Sequence, residues 1–344
     1  MRTHSRHAFN ARRRSQGFTL VELMVALVLG LIVTGAALAM FLTNQRVYAT
    51  TESLGRVQEN VRTAYELMAR DIRETAGNPC ESDLPTVNVL NSPGSNWWST
   101  MDGGVRGYGS TTAFGDEAFG TAAGVRLTGT EAIELKSAVN DGVSVVSHNP
   151  SAASFKLSTI DHGLNVGDIA IVCDFDHAAI LQLTNASPGV NDTVVHNTGT
   201  GTPGNCTKGL GFSAPTLCTA LGTPYTYGPN SIIARMKMER WYIANNNRGG
   251  RSLFQSLLVN NAGTLSIAKQ EIADNVINMQ AQYLLAGATS YVSPASVTTA
   301  QWNSDNVIAV RIILTLRERA TASPTSDVFD RTLEHTVTLR NRVP

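Results

Sequence analysis

The chain has 344 residues, 42% of them hydrophobic, with 27 basic and 27 acidic side chains in formal balance. That length supplies one large domain or two smaller ones with a buried core. The balance conceals an asymmetry: residues 1–17 hold five arginines and no acid, leaving 22 basic against 27 acidic residues behind them, so no nucleic-acid-binding face is predicted.

From the N-terminus, the basic cluster Arg12 to Arg14 precedes an apolar run, Phe18 to Leu42, that carries one charge, Glu22. As a helix this run measures about 37 Å, enough to cross a hydrocarbon layer of about 30 Å. The arginines hold the start of the chain on the cytoplasmic side, so the remainder faces away from it. Two ordinary readings compete. One is a secretory signal cleaved after Ala37-Leu38-Ala39, although the run exceeds a signal core of about 7–15 residues. The other is a permanent one-pass anchor with Glu22 reaching the interface. An ionisable group inside a span costs up to roughly 2.5–3.5 kcal/mol, which points instead to a partner for the carboxylate.

The stretch GFTLVELMVAL, Gly17 to Leu27, resembles the class III prepilin signature of type IV pilins and type II secretion pseudopilins. The resemblance implies that prepilin peptidase cuts between Gly17 and Phe18 and that the new terminus is N-methylated at Phe18. Glu22 then becomes the fifth residue of the mature chain and pairs with the N-terminal amine of a neighbouring subunit. Opposite charges in a low dielectric, out of reach of water, favour such a pair. Residues 1–17 are accordingly a cleaved basic leader and 18–42 a membrane-spanning, filament-core helix. Gly30 and Gly35 suit either close helix packing in a filament or the tolerance of lipid for glycine. The bending proline frequent in that family is absent, the position being Ala39.

Past the span, Val47, Leu54, Val57, Val61, Tyr65, Met68 and Ile72 recur at mostly three- and four-residue steps, which predicts that 43–76 continue the same helix with one face against a head. Glu52 with Arg56, Glu59 with Arg62 and Glu66 with Arg70 read as solvated acid-first pairs. Gly77, Asn78 and Pro79 form a stop signal. Residues 77–344 are then the head, on the far side of the membrane.

Residues 81–124 read as a long surface excursion containing Trp97 and Trp98. From GVRLT (124–128) through AIELK, VSVVS, SFKLS, DIAIVC and AAILQLT, short β-type runs predict antiparallel sheet. A second loop, 185–230, is followed by SIIARMKMERWYIA, SLFQSLLV and a strand around IADNVINMQAQYLLA. In NVIAVRIILTLR, Ile308, Val310, Ile312, Leu314 and Leu316 share one face. The closing TLEHTVTLR alternates likewise, so a sheet strand ends the pattern. The fold class is α+β, a long N-terminal helix packed on a β-sheet head with long loops.

Chemical motifs are sparse. GTGTPG (199–204) matches a phosphate-loop pattern by letter, but Pro203 and the following NCTKGLG offer no helix for the phosphate to cap. Asp174, Asp176 and His177 are metal-ligand types brought together between two strands, or else a polar hairpin turn. No nucleophile elbow, HExxH or Walker motif occurs, so neither an enzyme nor a cofactor is predicted. Four cysteines without CxxC spacing, beyond an export-type N-terminus, suit disulfides. Cys206 with Cys218 forms the most local pair and leaves Cys80 with Cys173; three connectivities remain open from sequence.

The head resembles more loosely the PilW-like minor pilins, through GDIAIVC, NVIAVRIILTLR and TVTLRN. That resemblance implies a role in priming pilus assembly, in contact with other minor pilins and the major pilin, at a tip that presents an adhesin. It also implies passage through the inner membrane with the head in the periplasm before extracellular display. A J-like minor pseudopilin of type II secretion is the alternative within the same machinery. A membrane-anchored binding protein using Trp97, Trp98 and the loops as its ligand surface is the alternative outside it.

Overall fold

The computed structural model describes residues 17–75, 84–319, 328–339 and 342. A single helix, α1, runs Leu20–Glu74, within one residue or two of the predicted bounds; the stop signal at Gly77 to Pro79 lies outside the described residues. By its contacts the chain falls into two units that divide inside α1, between Gly55 and Arg56. In the first unit every residue from 17 to 49 is exposed, and Leu20–Ala49 is long and apolar enough to cross a membrane. Its threonines fold their hydroxyls back onto the helix: Thr34 donates to the Gly30 carbonyl at 2.7 Å and Thr43 to the Ala39 carbonyl at 2.8 Å. Such back-bonding leaves no hydroxyl unsatisfied in an apolar surrounding.

The second unit is the head together with the end of α1. Its strands are β1 (Thr86–Asn88), β2 (Val105–Tyr108), β3 (Ala132–Val139), β4 (Val145–Asn149), β5 (Ser154–Leu157), β6 (Ile169–Cys173), β7 (Ala178–Gln182), β8 (Thr193–Val195), β9 (Ile232–Asn245), β10 (Arg251–Asn261), β11 (Thr264–Asp274), β12 (Val276–Leu285), β13 (Val307–Arg319) and β14 (Val328–Thr338). A short helix, α2 (Thr299–Trp302), precedes β13. An eight-stranded sheet runs β1-β7-β6-β9-β10-β11, with β3 and then β2 on the opposite side of β9; β12-β13-β14 and β4-β5-β8 form two three-stranded sheets. The sheets are antiparallel except where β1 lies parallel to β7.

Among the described residues the head has four hydrophobic clusters, of which two are the largest. The first sets Val61, Ala64, Met68, Ala69 and Ile72 of α1 against Trp241 and Leu253 of the large sheet and against Met279, Val310, Ile312, Leu314 and Val337 of β12–β14. The second, including Val87, Phe155, Leu181, Val194 and Tyr227, lies among short strands and loops. Among the described side chains of α1, Val61 is the first that is buried. Val47, assigned to the same stripe, is exposed, while the side chains of Leu54 and Val57 lie outside the described residues.

Other expectations are corrected. Among the described side chains, Arg62 pairs with Glu66 at 3.2 Å and Arg70 with Glu74 at 3.1 Å, base-first rather than as Glu59–Arg62 and Glu66–Arg70; both pairs are exposed, so each contributes little, and the Arg56 side chain lies outside the described residues. GVRLT is not a strand; it is attached to β9 by an isolated bridge from Arg126 to Ala244 and by the N–H groups of Gly124 and Leu127, which donate to the Asn245 and Ile243 carbonyls at 3.0 Å each. The supposed excursion 81–124 holds β1 and β2 and buries Val87, Val89, Leu90 and Trp98. The second loop includes β8 and buries Leu210 and Tyr227. Gly167 is among the glycines required sterically: its φ is +89° and a Cβ there would come within 2.7 Å of Gly263. There the β10–β11 hairpin tip is seated on the turn before β6, held by Asn260, which donates to the Asp168 carboxylate at 2.7 Å.

Candidate functional site

Gly17, Phe18 and Thr19 precede α1, and Phe18 is 84% exposed. Glu22 stands in the first turn of the helix. Its Oε2 accepts from the main-chain N–H of Thr19 at 3.2 Å and from the Thr19 hydroxyl at 3.1 Å. Thr19 Oγ1 in turn accepts from the Glu22 N–H at 3.2 Å. This reciprocal pattern is a capping box, and the carboxylate also lies at the positive end of the helix dipole. It was visible in the sequence as TLVE, the T-x-x-E signature, but the charge of Glu22 drew attention from it. The carboxylate is therefore held within a few residues of Phe18, at the rim of a helix whose apolar surface is exposed among the described residues of its unit.

At the other end of α1, a buried polar network fixes the helix to the large sheet. Lys237 of β9 pairs with Asp71 at 2.7 Å and with Glu239 at 3.3 Å. The indole N–H of Trp241 donates to Asp71 Oδ2 at 3.2 Å, and the Gln255 amide donates to Asp71 at 3.0 Å and to Glu239 at 2.7 Å. Asp71 and Glu239 are both buried. Burial, with Asp71 as a second negative charge, pushes the Glu239 carboxyl up to about 8, against the pull of Lys237. Helix and strands meet again at Tyr65, whose hydroxyl donates to the Leu333 carbonyl at 2.5 Å and accepts from the Leu314 N–H at 3.1 Å. Leu314 and Leu333 are opposite one another in the β13–β14 ladder, so the phenol is inserted between the two strands. Burial raises its pKa to about 12, consistent with a hydroxyl that keeps its proton and donates it. Tyr65 belongs to the helix face expected to meet the head, whereas Asp71, Lys237, Glu239 and Gln255 carry no signal of burial in the sequence.

The remaining candidates are structural. Cys206 and Cys218 are joined by a disulfide; Cys173 is also disulfide-bonded, and Cys80 lies outside the described residues. Asp174 caps the main-chain N–H of Asp176 at 2.9 Å and accepts the Tyr225 hydroxyl at 2.6 Å, while His177 Nε2 donates to the Leu210 carbonyl at 2.9 Å. The turn thus spends its ligand-type atoms on internal bonds. GTGTPG opens no helix; its Gly204 N–H donates to the Gln182 carboxamide at 2.7 Å, which binds the Thr202 carbonyl at 2.9 Å. Trp97 and Trp98 are not a ligand surface. Trp98 is buried, and Trp97 lies under the Arg240 guanidinium, 4.0 Å from its ring centroid. Arg240 is in turn paired with Glu134 at 2.9 Å and Asp116 at 2.7 Å.

Two family models match the chain. Residues 12–38 match the prokaryotic N-terminal methylation motif, and residues 240–341 match type IV pilus-assembly protein W. No curated protein matches it. The first segment contains Gly17, Phe18, Thr19 and Glu22. The second contains Trp241 and Gln255 and all of β10 to β14, the strands against which α1 packs.

Proposed function

We propose, for a chain that joins the N-terminal methylation motif and the protein W segment of a type IV pilus-associated pilin, that it works as a non-enzymatic minor pilin. Prepilin peptidase removes residues 1–17, the new terminus at Phe18 is methylated, and the apolar helix leaves the inner membrane for the filament core. There Glu22 meets the amine of a neighbouring subunit. The head waits in the periplasm and ends at the pilus tip, where with other minor pilins it primes assembly ahead of the major pilin and supports an adhesin.

The observation that carries this reading is the capping box at Glu22. A carboxylate is held beside the residue that becomes the new terminus, on a helix whose apolar surface is exposed among the described residues of its own unit. A long helix offers its aliphatic surface to lipid or to other helices with equal ease, and a charge at its rim selects a partner and a register. Intact-mass measurement tests the processing: the mature chain should begin at Phe18 and weigh one methyl group more than the unmodified sequence. Retention of residues 1–17, or cleavage near Ala39, would overturn it.

A pair of variants separates capping from pairing. Glu22→Gln keeps a capping-box side chain but removes the charge, whereas Glu22→Ala removes both. Both should insert in the membrane, and both should fail to enter pili. Normal piliation by Glu22→Gln would mean that the cap, not the charge, is what matters.

A further inference from the structure

The small sheet β4-β5-β8 is closed by two histidines that the assembly reading does not use. His148 of β4 and His196, just after β8, face each other through their Nε2 atoms at 3.2 Å, with 8% and 0% of their surfaces exposed. Phe155 of β5 stacks on His148 at 4.2 Å between centroids and lies 4.9 Å from His196. Tyr227 closes the other side, 5.9 Å from His148.

The neighbours fix the tautomers. His148 Nδ1 accepts the main-chain N–H of Tyr227 at 3.3 Å, so the His148 proton is on Nε2 and donates to His196 Nε2. The His196 proton is then on Nδ1, which is buried without a hydrogen-bond partner among the described residues. Each nitrogen that could take another proton already faces a donor. On His148 Nδ1 a new proton would oppose the Tyr227 N–H; on His196 Nε2 it would oppose His148 Nε2–H. The same tautomers disfavour a shared metal ion, which would need both Nε2 lone pairs and would move a proton onto His148 Nδ1.

The charged and titratable groups around the pair give no relief. Lys208 donates to the Ser151 carbonyl at 3.1 Å and its charge opposes another on His196. Across Tyr227 lie His177, bonded to the Leu210 carbonyl, and Tyr225, whose hydroxyl occupies Asp174. On β5, Lys156 is turned to Asp192 at 3.6 Å. No carboxylate is paired with either imidazole among the described residues. Burial therefore holds His148 down to about 4 and, with the His148 charge adding to it, His196 down to about 3.

We propose that His148 and His196 form an acid-labile clasp, which seals the β4-β5-β8 sheet while both rings are neutral and opens it, ahead of the eight-stranded sheet, when either ring takes up a second proton. The sign follows from linkage. A histidine whose folded pKa lies below its unfolded value of about 6.5 adds stability that is complete above that pH and is lost as the pH falls toward the folded value.

Hydrogen–deuterium exchange of the full-length protein in detergent, between about pH 7.5 and about pH 4.5 and corrected for intrinsic exchange, tests the clasp. Peptides covering β4, β5 and β8 should lose protection by at least about tenfold relative to peptides from β9 and β13, the ratio that one proton gives per pH unit. The double variant H148N/H196N should lack that acid-specific loss. Equal pH dependence of the small and large sheets in the unaltered protein would overturn the proposal even if the variant fails to fold. So would persistence of the loss in a folded variant, which would assign it to carboxylates.

Discussion

The two largest cores of the head are built differently. The helix-holding core draws on long strands, β9 to β14, and has an ionic cluster of Asp71, Lys237 and Glu239 at its edge. The outer core, among residues 87–233, uses strands of five residues or fewer besides β9, and its interior holds the neutral buried polar groups Gln182, Asn205, His148 and His196, with the buried Asp168 carboxylate at its edge bonded to Asn165 and Asn260. The protein W match covers most of the first and none of the second beyond β9. A docked helix needs one axial position and one rotation, and charges that must find each other specify both better than apolar contact does. A loop-rich lobe has no such partner to align; it needs only closure, which a disulfide and carboxamide bridges supply.

Four experiments sharpen or break that contrast. The largest effect belongs to Trp241→Ala, which empties the helix-holding core and deprives Asp71 of a donor. Urea denaturation should show a loss of about 3–5 kcal/mol, with amide exchange rising along residues 61–74. A loss without exposure of the helix would mean that this core does not hold it. Removing the Cys206–Cys218 crosslink by double serine substitution should cost about 3 kcal/mol on the chain-entropy model and loosen only the outer lobe; loosening of residues 61–74 as well would merge the two regions.

The third is a matter of pH. Because the folded Glu239 pKa is raised to about 8, above its unfolded value of about 4.5, its contribution is fully present below that value and is lost as the pH rises through about 8. Glu239→Gln should flatten that alkaline decline by on the order of 2 kcal/mol in a denaturation series. The helix-holding region should therefore weaken in base and the outer lobe in acid. The smallest effect is Phe175→Ser. This side chain is 86% exposed at the β6–β7 turn, so thermal unfolding should show a change within about 0.5 kcal/mol.

The same contrast explains what could be read from the sequence. A 25-residue apolar run and the alternation in β13 and β14, broken at Ile313, are local patterns, and local patterns announce themselves through period and length. Glu22 was conspicuous for its charge, although its capping role was equally local. The helix stripe was legible in phase at Val61, Tyr65, Met68 and Ile72, while Val47, in the same phase, is exposed because only the presence of the sheets decides which turns are covered. Asp71, Glu239 and Gln255 look like solvent residues in any window of sequence; their burial depends on partners as many as 184 residues away. Trp97 and Trp98 misled for the same reason, since the arginine that covers Trp97 is on β9. The parallel pairing of β1 with β7 requires a return of the chain over about ninety positions, which no turn signal encodes.

The Tyr65 hydroxyl between β13 and β14 has a mechanical consequence. Tyr65 and Asp71 lie about 9 Å apart along α1 at about 1.5 Å per residue, and each is bonded to a different sheet. The end of α1 is therefore fastened to the head at two points about 9 Å apart and on separate sheets, so that loss of either attachment leaves the other in place.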